Sequence, residues 1–251
     1  MRVLFLDCET SPNQVFTWGI WQQNISINHM IESSGVMCWS AKWLGEKKVH
    51  FDSIHKSSKR RMLKGVHDLL TEADVVVTYN GKSFDTPVLN REFLLMKMPP
   101  PAPCKQLDVL QVARRQFRFQ SNKLEYVARE LGFDGKTKHE GFKLWVKCMN
   151  SDPVAWAKME QYNKNDSILL EKVYNRVLAW IPHHPNRAVY SGQSRPSCTK
   201  CGSTNVQARG FAHTISHVYA RFVCKDCGAW LRGRKSLRGR AGAERLVECN
   251  T

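Results

Sequence analysis

At 251 residues the chain has room for one sizeable domain and a small appendage. An apolar fraction of 42% is enough for a core and excludes an intrinsically disordered protein. The formal net charge of +16, with a pI near 9.6, points to a polyanionic partner, nucleic acid first.

The N-terminal stretch reaches an acid at Asp7 after four apolar residues, Val3 to Leu6, too few for a signal peptide. No stretch approaches the eighteen or so apolar residues of a membrane span, so a cytoplasmic or otherwise intracellular chain is expected. Residues 3–7 form an apolar run consistent with a buried strand, and residues 15–18 and 36–44 are β-rich. Residues 47–51 can pair with the preceding strand as a hairpin. Residues 58–72 carry Met62, Leu63, Val66, Leu69 and Leu70 at helical spacing. Residues 74–79 (DVVVTY) read as a second buried strand, and residues 86–98 as a helix closed by Pro99, Pro100 and Pro101. Helical patterns then cover 109–117, 123–131 and 152–180, the last opened by Ser151 or Asp152 with Pro153 close behind. Strands, then a strand–helix unit, then helices suit a mixed α/β sheet with helices on its faces over residues 1–181.

Residues 182–197 are rich in Pro, Ser and Gly without periodicity and read as a linker. Beyond it, Cys198-x-x-Cys201-Gly and Cys224-x-x-Cys227-Gly stand with 22 residues between them. Four thiolates so spaced suit one tetrahedral Zn²⁺, and each glycine permits the turn after its knuckle. Disulfides or a redox pair are the alternatives. The other cysteines (Cys8, Cys38, Cys104, Cys148, Cys249) are scattered as free thiols in a reducing compartment would be, which favours a structural zinc ribbon over 198–235. Its strands are expected at 218–223 and 228–231, with His213 and His217 as polar strand residues. Trp230, Arg232, Arg234, Lys235, Arg238 and Arg240 form a basic run with one aromatic, suited to a phosphate backbone and a stacked base. A basic tail over 236–251 that merely aids solubility, or a ribbon that docks a protein partner, are the competing uses of this end.

Four acids stand out by position. Asp7 and Glu9, at i and i+2 of a strand, point to one side, away from Cys8. Asp85 follows the DVVVTY strand at the start of the next helix, where capping alone also explains an Asp. Asp166 lies in the long helix one turn after Tyr162. Gathered carboxylates repel unless a cation lies among them, and oxygen-only ligands favour Mg²⁺ or Mn²⁺. Two such ions about 3.5–4 Å apart activate water and stabilise a leaving phosphodiester oxygen. Gly81-Lys82-Ser83 does not make a phosphate-binding loop, because the required first glycine falls at Val76. Asp108 is expected to be a structural helix cap.

Together, LDCET (6–10), YNGKSFDTPVL (79–89) and YNKNDSILL (162–170) resemble the three motifs of the DEDD, or DnaQ-like, 3′–5′ exonuclease superfamily on the RNase H-like fold. The second motif is similar to the proofreading domain of family B DNA polymerases. A tyrosine four residues before the last Asp, with Gln161 where another branch has histidine, marks the DEDDy branch. The resemblance implies that Asp7, Glu9, Asp85 and Asp166 bind two Mg²⁺ or Mn²⁺ ions, that Tyr162 orients the attacking water, and that Glu9 also meets the 3′-terminal nucleotide. The expected function is a metal-dependent 3′–5′ exonuclease on nucleic acid, DNA before RNA, with the ribbon and basic run holding substrate. A structure-selective endonuclease on the same fold and a non-catalytic nucleic-acid-binding adaptor are the alternatives.

Overall fold

The computed structural model describes residues 1–133, 140–190, 192 and 195–238. The chain divides into two compact units, Met1–Asn175 and Arg176–Thr251. No helix among the described residues is long and apolar enough to cross a membrane.

The first unit is built on a five-stranded mixed sheet. In chain order its strands and helices are β1 (Val3–Thr10), a small pair β2 (Gln14–Val15) and β3 (Met30–Glu32), then β4 (Val36–Trp43), β5 (Val49–Ser53), α1 (Lys59–Glu72), β6 (Val75–Thr78), α2 (Asp85–Leu95), β7 (Lys105–Asp108), α3 (Val109–Gln116), α4 (Leu124–Glu130), α5 (Phe142–Met149) and α6 (Pro153–Val177). The sheet order is β5-β4-β1-β6-β7. β4 and β5 run antiparallel to their neighbours, whereas β1, β6 and β7 are parallel. β1 is central and covered on both faces, which is why VLFL reads as a continuous apolar run rather than an alternating one. Leu4, Leu6 and Cys8 pack with Met62, Leu63 and Val66 of α1 and Leu89 and Phe93 of α2. On the opposite face Phe5 meets Tyr174 of α6 edge-on, ring centroids 5.2 Å apart.

Sequence expectation and fold part at residues 15–18. That stretch pairs through Val15, with one more backbone hydrogen bond from the Phe16 N–H to the His29 carbonyl at 2.9 Å, and Phe16 and Trp18 stand 75% and 99% exposed. The excursion is pinched off where the Ser11 N–H donates to the Gly35 carbonyl at 2.9 Å, so the run has no sheet face to pack on, and β-propensity without packing makes no strand. β7 and α5 lack strong periodicity and were not expected as separate elements.

In the second unit β8 (Val206–His213), β9 (Val218–Cys224) and β10 (Trp230–Arg238) form an antiparallel sheet of order β10-β9-β8. The basic run is therefore strand as far as Arg238, well past the expected strand end at 231. Short 3₁₀ turns occupy Leu178–Trp180 and Arg187–Tyr190.

Candidate active site

The site forms where β1 outruns its parallel neighbour. β6 pairs with β1 only from Val3 to Phe5, which leaves the Cys8 N–H without a strand partner on that side. Asp85 fills the gap: its Oδ1 accepts from the Cys8 N–H at 2.9 Å. Its placement depends on the turn after β6. Asn80 there has a left-handed backbone (φ 74°), and its N–H donates to Asp108 Oδ1 at 2.9 Å. The same oxygen caps α3 by accepting from the Leu110 N–H at 3.0 Å, so Asp108 is the structural cap it was expected to be. At Gly81 any Cβ would lie 2.3 Å from Thr78 Cβ, so this glycine serves close packing and not phosphate cradling.

Asp7 and Glu9 project from β1 toward α6, as period-two alternation requires. α6 delivers Tyr162, Asn163 and Asp166. Ligand oxygens of Asp7, Glu9 and Asp166 can all lie within 4.8 Å of one another. Asp85, buried, stands outside that triad but close enough for its charge to bear on Asp7. Burial, then the charges of Glu9, Asp85 and Asp166, push Asp7 well above the usual carboxylate range, against the opposing hydrogen bond from Asn163. Burial likewise raises the Asp85 carboxyl to about 6, with the Cys8 N–H working against it. A cluster of this kind takes up either protons or a cation, and oxygen donors at this spacing suit a divalent ion.

Tyr162 is buried, with its ring edge-on to Trp145 at 5.9 Å. Burial first, then the charges of Asp166, Glu9 and Asp7, raise its phenol far above the ordinary value, and its hydroxyl hydrogen-bonds Asp166. A phenol so held keeps its proton and acts as a donor. Beside it a groove of about 490 Å³ is lined by Tyr79, Arg114, Asn122, Lys123, Tyr162 and Asp166. Sequence reasoning missed Asn163. It is fully buried, and its Nδ2 donates to Asp7 Oδ2 at 2.6 Å. The signal was present, since a residue three before Asp166 on a helix shares its face.

Cys198, Cys201, Cys224 and Cys227 converge at the knuckle end of the ribbon. Sγ of Cys198 lies 3.6 Å from that of Cys227, and Cys201 is 3.6 Å from Cys224. Tetrahedral Zn–S bonds of about 2.3 Å demand S···S edges near 3.8 Å, so the four sulfurs fit a zinc ion. The glycines after the knuckles, Gly202 and Gly228, take φ of 83° and 77°, as the turns require. Burial pushes the Cys201 thiol up to about 11, a cost that coordination to a dication reverses. Trp230, Arg232, Arg234 and Lys235 lie on β10, while Arg240 and the Arg238 side chain fall outside the described residues.

A model of the RNase H superfamily matches residues 4–178. The chain belongs to the RNase H superfamily. Among solved structures, the family B DNA polymerase from the hyperthermophilic archaeon Pyrobaculum calidifontis is similar at a TM-score of 0.50 and 16% identity. The match covers 72% of this chain and 26% of the polymerase, so the likeness is one of fold over a minor part of that protein. No curated protein matches in sequence. The superfamily match spans the mixed sheet and all three motifs, and the likeness to a family B polymerase suspected from the second motif has its counterpart in the fold.

Proposed function

We propose that this RNase H-like protein is a divalent-metal-dependent nuclease of the DEDDy type that removes nucleotides from 3′ ends, DNA before RNA. One observation carries the reading: three carboxylates from β1 and α6 meet within 4.8 Å in a partly buried setting that raises Asp7. Asp7, Glu9 and Asp166 would hold two Mg²⁺ or Mn²⁺ ions, with Asp85 completing the set. Bound there, the ions acidify the attacking water and offset charge on the leaving oxygen. The chain's own groups do the rest. Asn163 fixes the Asp7 carboxylate, and the Cys8 N–H fixes Asp85. Tyr162 keeps its proton, which hydrogen-bonds Asp166, and its phenol oxygen accepts a hydrogen bond from the attacking water, so it orients that water rather than serving as a base. The groove lined by Arg114 and Lys123 receives the strand. One Zn²⁺ on the four cysteines holds the ribbon, whose Trp230, Arg232, Arg234 and Lys235, with Arg238 and Arg240 beyond, help to bind substrate. Buried free thiols at Cys8, Cys38 and Cys148 suit a reducing, intracellular setting.

The test is incubation with 5′-labelled single-stranded DNA, duplex DNA and RNA in Mg²⁺ or Mn²⁺, beside an Asp7→Ala control. Divalent ions are omitted for the blank, since a chelator would also strip the ribbon. A ladder shrinking from the 3′ end, absent in the blank and in Asp7→Ala, is expected. Internal cuts that depend on Asp7 would replace exonuclease by endonuclease. Binding without any cleavage would overturn the enzyme and leave an adaptor.

A further inference from the structure

On the ribbon, β9 and β10 pair with Trp230 opposite Val223 and Arg232 opposite Arg221. Residues directly opposite project to the same side, as do those two apart on a strand, so Tyr219, Arg221, Trp230 and Arg232 share one face. The four interleave. The Arg221 guanidinium lies over the Trp230 ring, 5.0 Å from its centroid, and Arg232 lies over Tyr219 at 4.2 Å. Even so covered, Trp230 stays 60% exposed.

Two like charges directly opposite on neighbouring strands destabilise a sheet. Here no carboxylate among the described residues pairs with either guanidinium, and their repulsion is offset by ring quadrupoles and, for Arg221, by a hydrogen bond from its Nε to the Arg209 carbonyl at 2.9 Å. A polyanion would remove that repulsion, and a ligand with flat faces would use the rings. Nucleic acid offers both. A duplex keeps its base faces stacked on one another, whereas a single strand presents phosphate and free base faces in alternation, matching alternate arginines and aromatics.

We propose that this face of β9 and β10 is a binding platform for single-stranded nucleic acid, with Arg221 and Arg232 on phosphates and Trp230 and Tyr219 stacked on bases. It deepens the proposed function, resting on it for the choice of nucleic acid among polyanions, and adds Tyr219 and Arg221, which the sequence did not single out.

The test measures fluorescence anisotropy of labelled oligothymidylate with the full zinc-loaded chain, without Mg²⁺, Mn²⁺ or chelator, across a salt series. Trp230→Ala should weaken binding roughly tenfold with an unchanged salt slope, and Trp230→Phe should recover most of it. Tyr219→Ala should act in the same direction. Arg232→Gln should reduce the slope of log K on log salt by about 0.7. Duplex of the same length should bind more weakly and ignore Trp230→Ala. Zinc content, measured on each variant, verifies that the ribbon is intact, and Trp230→Phe with Tyr219→Ala decides the matter if Trp230→Ala loses zinc. Ring variants that bind like the wild type, or arginine variants that lose duplex and single strand equally, would overturn the platform. Platform binding with no cleavage in Mg²⁺ would sink the nuclease alone, and cleavage with indifferent ring variants would sink the platform alone.

Discussion

Replacing Asn163 by alanine isolates one hydrogen bond at the candidate metal centre. The amide donates to Asp7 Oδ2 at 2.6 Å from a fully buried position, so water cannot substitute for it. A hydrogen bond to a charged group is worth about 1.5–3 kcal/mol. Asp7 already sits among Glu9, Asp85 and Asp166, and without the amide its ionised form, the form that ligates, loses that support. At about 1.4 kcal/mol per decade the loss becomes a roughly 10- to 100-fold rise in the divalent ion needed for half-maximal cleavage. Outer-shell partners of metal ligands typically cost the same when removed. The assay is initial cleavage rate across an Mn²⁺ titration, with Asn163→Asp in parallel. Alanine should shift the midpoint and recover most of its rate at saturating Mn²⁺. Aspartate, which sets another negative charge against Asp7, should stay inactive throughout. An unchanged midpoint with a lowered plateau would refute the reasoning, since Asn163 would then act on the reaction and not on the ligand.

Gly81→Ala should destabilise the first unit by about 3 kcal/mol in urea unfolding and depress cleavage with it, because the new Cβ would overlap the Thr78 side chain and displace the turn that places Asp85. In the metal-free protein, Asp85 has a folded-state pKa raised from 3.8 to about 6, so the folded state binds the extra proton. Its contribution is therefore full below about pH 4 and falls by about 3 kcal/mol as pH rises through 6. Chemical unfolding across pH should show that decline, and Asp85→Asn should remove its share and leave the part that Asp7, also raised, contributes in the same direction. Cys201→Ser should lose bound zinc, unfold β8 to β10 as seen by Trp230 emission, and leave the melting of the RNase H-like unit in place.

Most of the central sheet and of the site was legible because the signals are local. VLFLDCET shows at once a buried strand and two acids on one side of it. The Cys-x-x-Cys pairs, with glycines forced to positive φ, carry their geometry in four-residue windows. What stayed hidden depended on partners far along the chain. Nothing near Asp85 in the sequence announces that it caps a strand N–H at Cys8, because the vacancy arises from where β6 stops. The pairing of Arg232 with Arg221 needs the register of β9 on β10, which irregular spacing between Arg232 and Ser236 obscures. Residues 15–18 misled for the same reason in reverse, since their β-propensity never met a sheet face.

The position of Asp166 rests on the register of α6, and that register is set by polar groups. Along one face of the helix, Asn163 bonds Asp7, Ser167 bonds Ser40 at 2.6 Å, and Glu171 pairs with buried Lys42. These lie at i, i+4 and i+8, so each meets β1 or β4 in turn, and Tyr174 closes the row on Phe5. An apolar face would bind the sheet as tightly but tolerate a slide by one turn at the cost of some packing. Here a slide of one turn strands a buried lysine, a partly buried glutamate and two buried hydroxyls without partners, each costing on the order of 1–3 kcal/mol or more. The buried polar row therefore contributes less to net stability than to choice of register. That choice brings Asp166 beside Asp7 and Glu9, and puts the Tyr162 hydroxyl on Asp166.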